Sequence, residues 1–460
     1  MKKLSVFSLV MINVIAVDNL RSLTAGAEYG LALIFFYLLA AALFFIPTIL
    51  ITAELTTAWP DTGGVYIWVR EAFGHKAGFL TIWLQWIYNV VWYPTIFAFI
   101  AGIIAYLVDP TLINNKFYML SIILGAFWAI TALNCLGLRA YHWLSTIGAL
   151  IGTIFPMLLI AILGLIWLLM RKATAITFSI PAFFPNLASL KNLAFLTNIL
   201  FGLMGMEMSA VHAGDVNNPK KDYPRALLYS TCIILVTLIT ACLAITMVIP
   251  VHQLNLVSGF MDAFSIFFHA YGLSWFIPIL AVLIILGSLS GAATWIIGPA
   301  RGLLIAGQDH DLPRFLVSVN KKDMPIGILL TQGLIVTVLC VLFLVMPSVN
   351  SSYWLLSNLT AQLALIFYLF MFVAALRLRY KYPEKQRTFK VPGGKIGLWL
   401  VCVAGIFACV SAIVLGFLPP TQVNIGSLLR YEGIMLGGML VCILPAFLLH
   451  YVSKRQLRLP

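Results

Sequence analysis

The chain has 460 residues, 62% of them hydrophobic and only 9% charged, with a mean hydropathy of +1.02 and a formal net charge of +13. A soluble protein carries about 25% charged residues, so a soluble domain and a disordered chain are both excluded. The charges are bunched between apolar runs, which leaves an all-α polytopic membrane protein and makes a nucleic-acid reading of the basic excess unnecessary.

Runs long enough to cross a ~30 Å hydrocarbon layer predict twelve transmembrane helices, near 4–22, 31–57, 78–108, 118–136, 144–170, 193–213, 227–249, 275–304, 326–346, 352–376, 396–418 and 431–452. The first opens MKKLSVFSLV, two lysines before an apolar stretch, as in a signal peptide. No small-x-small cleavage site follows, so it reads as a retained helix. It continues SLVMINVIAVDNLRSLTAG, with Asn13, Asp18, Asn19 and Arg21 inside what should be apolar. Asp18 and Arg21 stand three apart, and two readings follow. They form a local ion pair, or Asp18 faces a substrate and favours a cationic or neutral one.

The second span ends near Glu54 and runs into TTAWPDTGGVYIWV. Pro60, Gly63 and Gly64 end the helix, and the amphipathic piece beyond is expected at the cytoplasmic mouth as a gating or structural loop. The third span carries Trp83, Trp86, Asn89 and Tyr93, the last three on one helical face. Aromatic stripes in membrane helices serve packing or interface anchoring, yet Asn89 within this one points to a pore-facing surface that includes Trp86 and Tyr93. Trp295 in the eighth span carries the same ambiguity. The third and eighth spans are long enough to tilt.

The sixth span holds FGLMGMEMSA, residues 201–210. Glycine weakens a helix, and a mid-membrane carboxylate such as Glu207 costs ~2.5 kcal/mol or more. Gly202 and Gly205 taken alone read equally as close-packing glycines. Their coincidence with the polar interruption of the first span changes the reading. Spans one and six hold corresponding positions in two five-helix halves, 4–170 and 193–376, with 396–452 as two further helices. Interrupted segments in corresponding positions mark a transporter built from inverted repeats. An unwound turn exposes N–H groups at one half-helix and carbonyls at the other, which attract a carboxylate and an ammonium. Every amino acid carries both on one carbon. Glu207 is then either a buried acid bonded to the broken helix or a group that takes up and releases a proton. His212, one turn on, is a candidate proton partner.

Twenty-two of the 28 lysines and arginines fall on the side of the two termini, from Lys2 and Lys3 through Arg139 and the run RLRYKYPEKQRTFK to Arg458. Arg21, Lys116, Arg171, Lys172, Lys191 and Arg430 fall opposite. Both termini are therefore expected in the cytoplasm. Arg301 and the long basic run read as anchors at the cytoplasmic face, touching anionic lipid. The seven cysteines lie singly in apolar spans without metal-ligand spacing, and the seven histidines are dispersed with no H-E-x-x-H. The expectation is no metal, no cofactor and no enzyme. A channel would need a continuous polar path, whereas two broken helices describe an occluded midplane site. Whether the chain is a monomer or a homodimer is open at this point.

The chain resembles the amino acid–polyamine–organocation superfamily, and most closely its branch of bacterial glutamate/GABA exchangers. The resemblance is carried by FFIP and AEL within 44–55, P-x-x-GGVYIWV, FGLMGMEMSAVHAGDVNNPKKDYPRAL, WIIGPARG, RTFKVPGGK and FLPP, in order along the chain. It implies a fold of two inverted five-helix repeats plus two helices, and an amino acid exchanger of the bacterial inner membrane. The substrate would be an amino acid or its decarboxylated amine; proton symport is the alternative. Carried over by position, the resemblance puts the carboxylate at the amides of Val17, Asp18 and Asn19. It puts the amine at carbonyls near Ile15, Phe201, Met204 and Gly205, with the Phe201 ring closing over the substrate and Glu207 coupling protons. This chain departs from the family at AVDN, where a Gly-Ser-Gly type run is usual, and at Gly291, where glutamate/GABA exchangers carry what looks like a glutamate. With Pro460 following the last span so closely, a C-terminal plug is not expected.

Overall fold

Among the described residues, ten helices are long and apolar enough to cross a bilayer: Gly30–Ala58, His75–Val108, Lys116–Cys135, Leu150–Leu169, Lys221–Val248, Ser274–Ala306, Ile326–Val345, Val349–Lys381, Gly394–Gly416 and Leu428–Leu449. They match the second to fifth and the seventh to twelfth expected spans. The first span is present as Val6–Val17 and Leu20–Ala27, bent by 43°, and the sixth as the shorter apolar segment Leu196–Met208. No strand occurs among the described residues. The computed structural model describes residues 5–59, 63–137, 148, 150–185, 193–208, 219–307, 312–420, 423 and 427–456. Lys2, Lys3, Pro60, Arg139, Lys191, His212, Arg458, the start of the fifth span and the sixth beyond Met208 lie outside the described residues.

A spanning helix satisfies its backbone internally, so each break has a local cause. In the first span the Asp18 amide still donates to Val14 O at 2.7 Å, after which Asp18 and Asn19 turn extended. The Asn19 side chain then accepts from Arg21 N at 3.0 Å and starts the next turn, as an asparagine N-cap does. In the sixth span the helix stops at Gly202, and Gly205 takes φ +120°, a backbone setting that side-chain-bearing residues rarely adopt. Its amide donates to Tyr368 Oη of the tenth span at 2.9 Å.

The third and tenth spans are buried along most of their length, and the fourth, fifth, ninth, eleventh and twelfth expose most of theirs. A helix apolar on all sides can occupy the centre of a bundle, and outward apolar side chains such as Val441 and Phe447 are exposed. The fifth span contains a π-turn at Leu150–Ile154, where it crosses the eighth at Gly152 and Gly287. A Cβ on either glycine would overlap the other's Cα, so the two backbones touch directly.

The piece Val65–Phe73 is a short helix packed into the bundle, with Val65, Tyr66, Trp68 and Val69 buried. One expectation for the side carrying the termini needs correction. The basic run is not free for lipid throughout. Arg379 donates from Nε and Nη2 to the two carboxylate oxygens of Glu54, at 2.7 and 2.5 Å, and Arg387 reaches Glu54 Oε1 at 3.3 Å. Val391 N donates to Glu54 Oε2 at 2.8 Å, so the tenth span and the loop after it are tied to the end of the second. Burial pulls the Arg387 guanidinium below its ordinary pKa, and the Glu54 carboxylate opposes that shift.

Candidate functional site

A cavity of about 120 Å³ lies where the two broken spans meet the third, fifth and eighth. Ile15, Val17, Asp18, Asn19, Phe201, Met204, Gly205 and Trp295 line it, so eight of the residues singled out from the sequence face one space. The last turn of a helix leaves carbonyls without intrahelical donors. At Ile15, Ala16 and Val17 that turn borders the cavity, a suitable neighbour for an ammonium. The expected amide site for a carboxylate is less open. The Asp18 amide is engaged by Val14 O, and the Arg21 amide by the Asn19 side chain.

Trp86 and Tyr93 do not line the cavity. Trp86 Nε1 donates to Gln332 Oε1 at 3.1 Å and its ring lies 5.0 Å from that of Trp83, which makes it a packing residue between the third and ninth spans. Tyr93 is fully buried behind the wall, its hydroxyl donating to Trp295 O at 2.8 Å. The lining face of the third span is rotated from the expected stripe and runs through Tyr88, Asn89, Trp92, Ile96 and Phe99. Asn89 does face the cavity, while its Nδ2 donates to Gln85 O at 2.7 Å.

Among the described residues Asp18 and Arg21 are the only charged ones of the lining, and no ion pair joins them. The Asp18 carboxylate accepts from Thr237 Oγ1 of the seventh span, at 3.1 and 3.4 Å. The Arg21 guanidinium points to the tenth span, where Nη1 donates to Ser357 Oγ at 3.0 Å. It is framed by the rings of Phe201, Tyr353 and Trp92, at 5.4, 5.8 and 5.9 Å. Arg21 is thus inside the site rather than among the charges of the outer side, and Phe201 lies against it.

Glu207 does not line the cavity. It is buried just behind Gly205, and Tyr368 Oη donates to its Oε2 while accepting from the Gly205 amide. Oε1 has no partner among the described residues. Gly291 does line the cavity, and a side chain there would enter open space.

Thr237, Tyr353, Ser357 and Tyr368 escaped the sequence reading. The signal for the tenth span was available: Tyr353 and Ser357 lie four apart among Asn350, Ser351, Ser352, Asn358, Thr360 and Gln362, a polar cluster ahead of the apolar stretch 363–376. Thr237 left no such trace, because a single threonine can satisfy its own helix; its Oγ1 also donates to Ile233 O at 2.8 Å.

Comparison with known proteins agrees with this architecture. The family model described as "Amino acid permease" matches residues 3–440. An uncharacterized transporter of Legionella pneumophila is 50% identical over 456 residues, covering 99% of this chain and 98% of its own. A glutamate/gamma-aminobutyrate antiporter of Lactococcus lactis is 28% identical, with 99% and 92% covered. A protein of the same species named as a probable agmatine/putrescine antiporter is 25% identical, with 99% and 96% covered. Among solved structures, a manganese transporter mutant of Eremococcus coleocola superposes with a TM-score of 0.57 at 14% identity, covering 97% of this chain and 94% of that one.

Proposed function

This chain belongs to the amino acid permease family and is a membrane transporter, and we propose that it exchanges an amino acid, or its decarboxylated amine, by alternating access. One observation carries the reading. The cavity lies at the interruptions of two spans, and Asp18, Arg21 and the last helical turn at Ile15, Ala16 and Val17 all belong to its lining. A zwitterion needs such a pair of unlike poles. A channel needs a continuous polar path instead.

On this reading Asp18, Asn19, Ile15 and Val17 hold the polar end of the substrate. Phe201, Met204, Gly205 and Trp295 enclose the rest. The repeats comprise 4–170 and 193–376, the protein lies in a bacterial inner membrane, and both termini face the cytoplasm. Trp86 and Tyr93 act through their neighbours. A second reading, proton-coupled symport, is favoured by Glu207, whose buried carboxyl adjoins the break with one oxygen unpartnered among the described residues. Counterflow in liposomes separates the two. An exchanger takes up labelled substrate only when substrate is loaded inside, whereas a symporter fills empty liposomes when a pH gradient is imposed. Uptake that rises linearly with concentration and never saturates would refute both.

A further inference from the structure

We propose that Arg21 is the anion subsite of this cavity, so that a transported molecule must carry a carboxylate and simple amines are rejected. The inference rests on reading the cavity as the transport site and names the substrate class that site takes.

Arg21 is 3% exposed and lines the cavity. A guanidinium stays charged in a protein, and a buried charge is costly unless it is paired and hydrogen-bonded. The surroundings supply only part of what it needs. Ser357 Oγ accepts from Nη1, three aromatic rings frame the group, and Tyr353 Oη donates to the Arg21 carbonyl at 3.2 Å. Nε and Nη2 have no partner among the described residues. These two nitrogens form one edge of the guanidinium, with parallel N–H bonds that match the two oxygens of a carboxylate.

The same molecule shows that edge in use. Arg379 donates from Nε and Nη2 to the two oxygens of Glu54. Arg21 carries the same edge unused, on a residue that lines the cavity and whose third nitrogen is anchored on the tenth span. Asp18 is not the missing acid, since its carboxylate is turned to Thr237. The amides expected to receive a carboxylate at the first break are in part already engaged, at Asp18 and Arg21. A carboxylate therefore finds its strongest donors on the Arg21 side chain. An ammonium finds Asp18 and the carbonyls ending at Val17 in the same lining. A diamine would place a second positive charge in this lining beside Arg21, with no anion to relieve it.

The test uses the full chain in liposomes, loaded in turn with glutamate, GABA and arginine. Each probe is paired with the same molecule lacking every carboxylate: arginine with agmatine, GABA and glutamate with propylamine. For whichever probe exchanges, the decarboxylated partner should compete about 10-fold to 100-fold more weakly, the range for losing a hydrogen-bonded charge. Arg21→Gln should erase the difference within a pair, and Arg21→Lys, with the charge but not the fork, should restore part of it. Agmatine or propylamine competing as well as its partner overturns the inference while leaving exchange intact. So does a ratio unchanged in Arg21→Gln. If both variants misfold, the wild-type ratio alone decides. Should none of the three exchange, the inference is overturned, and counterflow with agmatine and propylamine then shows whether the exchange reading falls with it.

Discussion

The hydroxyl of Tyr368 is the smallest group on which the sixth-span break depends. It receives the Gly205 amide and donates to Glu207, so removing it strands two buried polar groups together. Each stranded group costs about 1–3 kcal/mol, and Tyr368→Phe is expected to lower thermal stability on that scale and to slow uptake. A melting temperature and uptake rate equal to wild type would show that the bridge is incidental. Asp18 invites a different experiment. With Arg21 turned away from it, its charge is free to act on the substrate, and Asp18→Gly is expected to change which compounds compete for uptake. Competition profiles measured at normal expression decide this, an unaltered profile counting against the role.

Between residues and the whole lie the broken spans, where the two glycines of the sixth part company. At Gly202, where the helix ends, a Cβ would meet Ser22 Oγ at an ordinary 3.4 Å, whereas Gly205 has φ +120° and a Cβ there would lie 3.0 Å from Ala16 O. Alanine strains that backbone by about 1–2 kcal/mol before the contact is counted. Gly205→Ala should therefore abolish most uptake while Gly202→Ala retains it; equal loss in both would mean that the break needs flexibility throughout. The existence of both breaks was legible in the sequence, because Asp18, Asn19 and Glu207 have no business in an uninterrupted apolar helix. Which side chains surround the resulting space was legible only in part. Spacing places Trp86, Asn89 and Tyr93 on one face, yet which face of a central helix meets the cavity depends on neighbours far along the chain. The rotation to Asn89 and Trp92 is such a case. Arg21 was counted among the charges opposite the termini for a related reason: a basic residue near a span end adds to that count until the tenth span supplies Ser357 and Tyr353.

Across the whole molecule, Glu54 binds the second span to the tenth and to the loop that follows it, through Arg379, Arg387 and Val391 N. Removing one partner of a buried ion pair costs roughly 3–5 kcal/mol, since the other charge is left uncompensated. Glu54→Gln is expected to destabilise the protein by about that much, largely independent of salt; a change below about 1 kcal/mol in denaturation would place the cluster in open solvent energetically. The Gly152–Gly287 crossing has the opposite character. No side chains interlock between these two glycines, an arrangement that would let the fifth span pivot against the eighth about that point. Leu169 lies roughly 25 Å along the helix from Gly152 at 1.5 Å per residue, and a tilt of about 10° would carry it roughly 4 Å. Spin labels on exposed Leu169 and Trp275 should report that travel between loaded and unloaded protein. Thr153 and Ser288, seated beside the pivot and bordering the cavity, would scarcely shift. A hinge built from two bare backbones would let the outer ends of the helices move widely while the pocket keeps its grip.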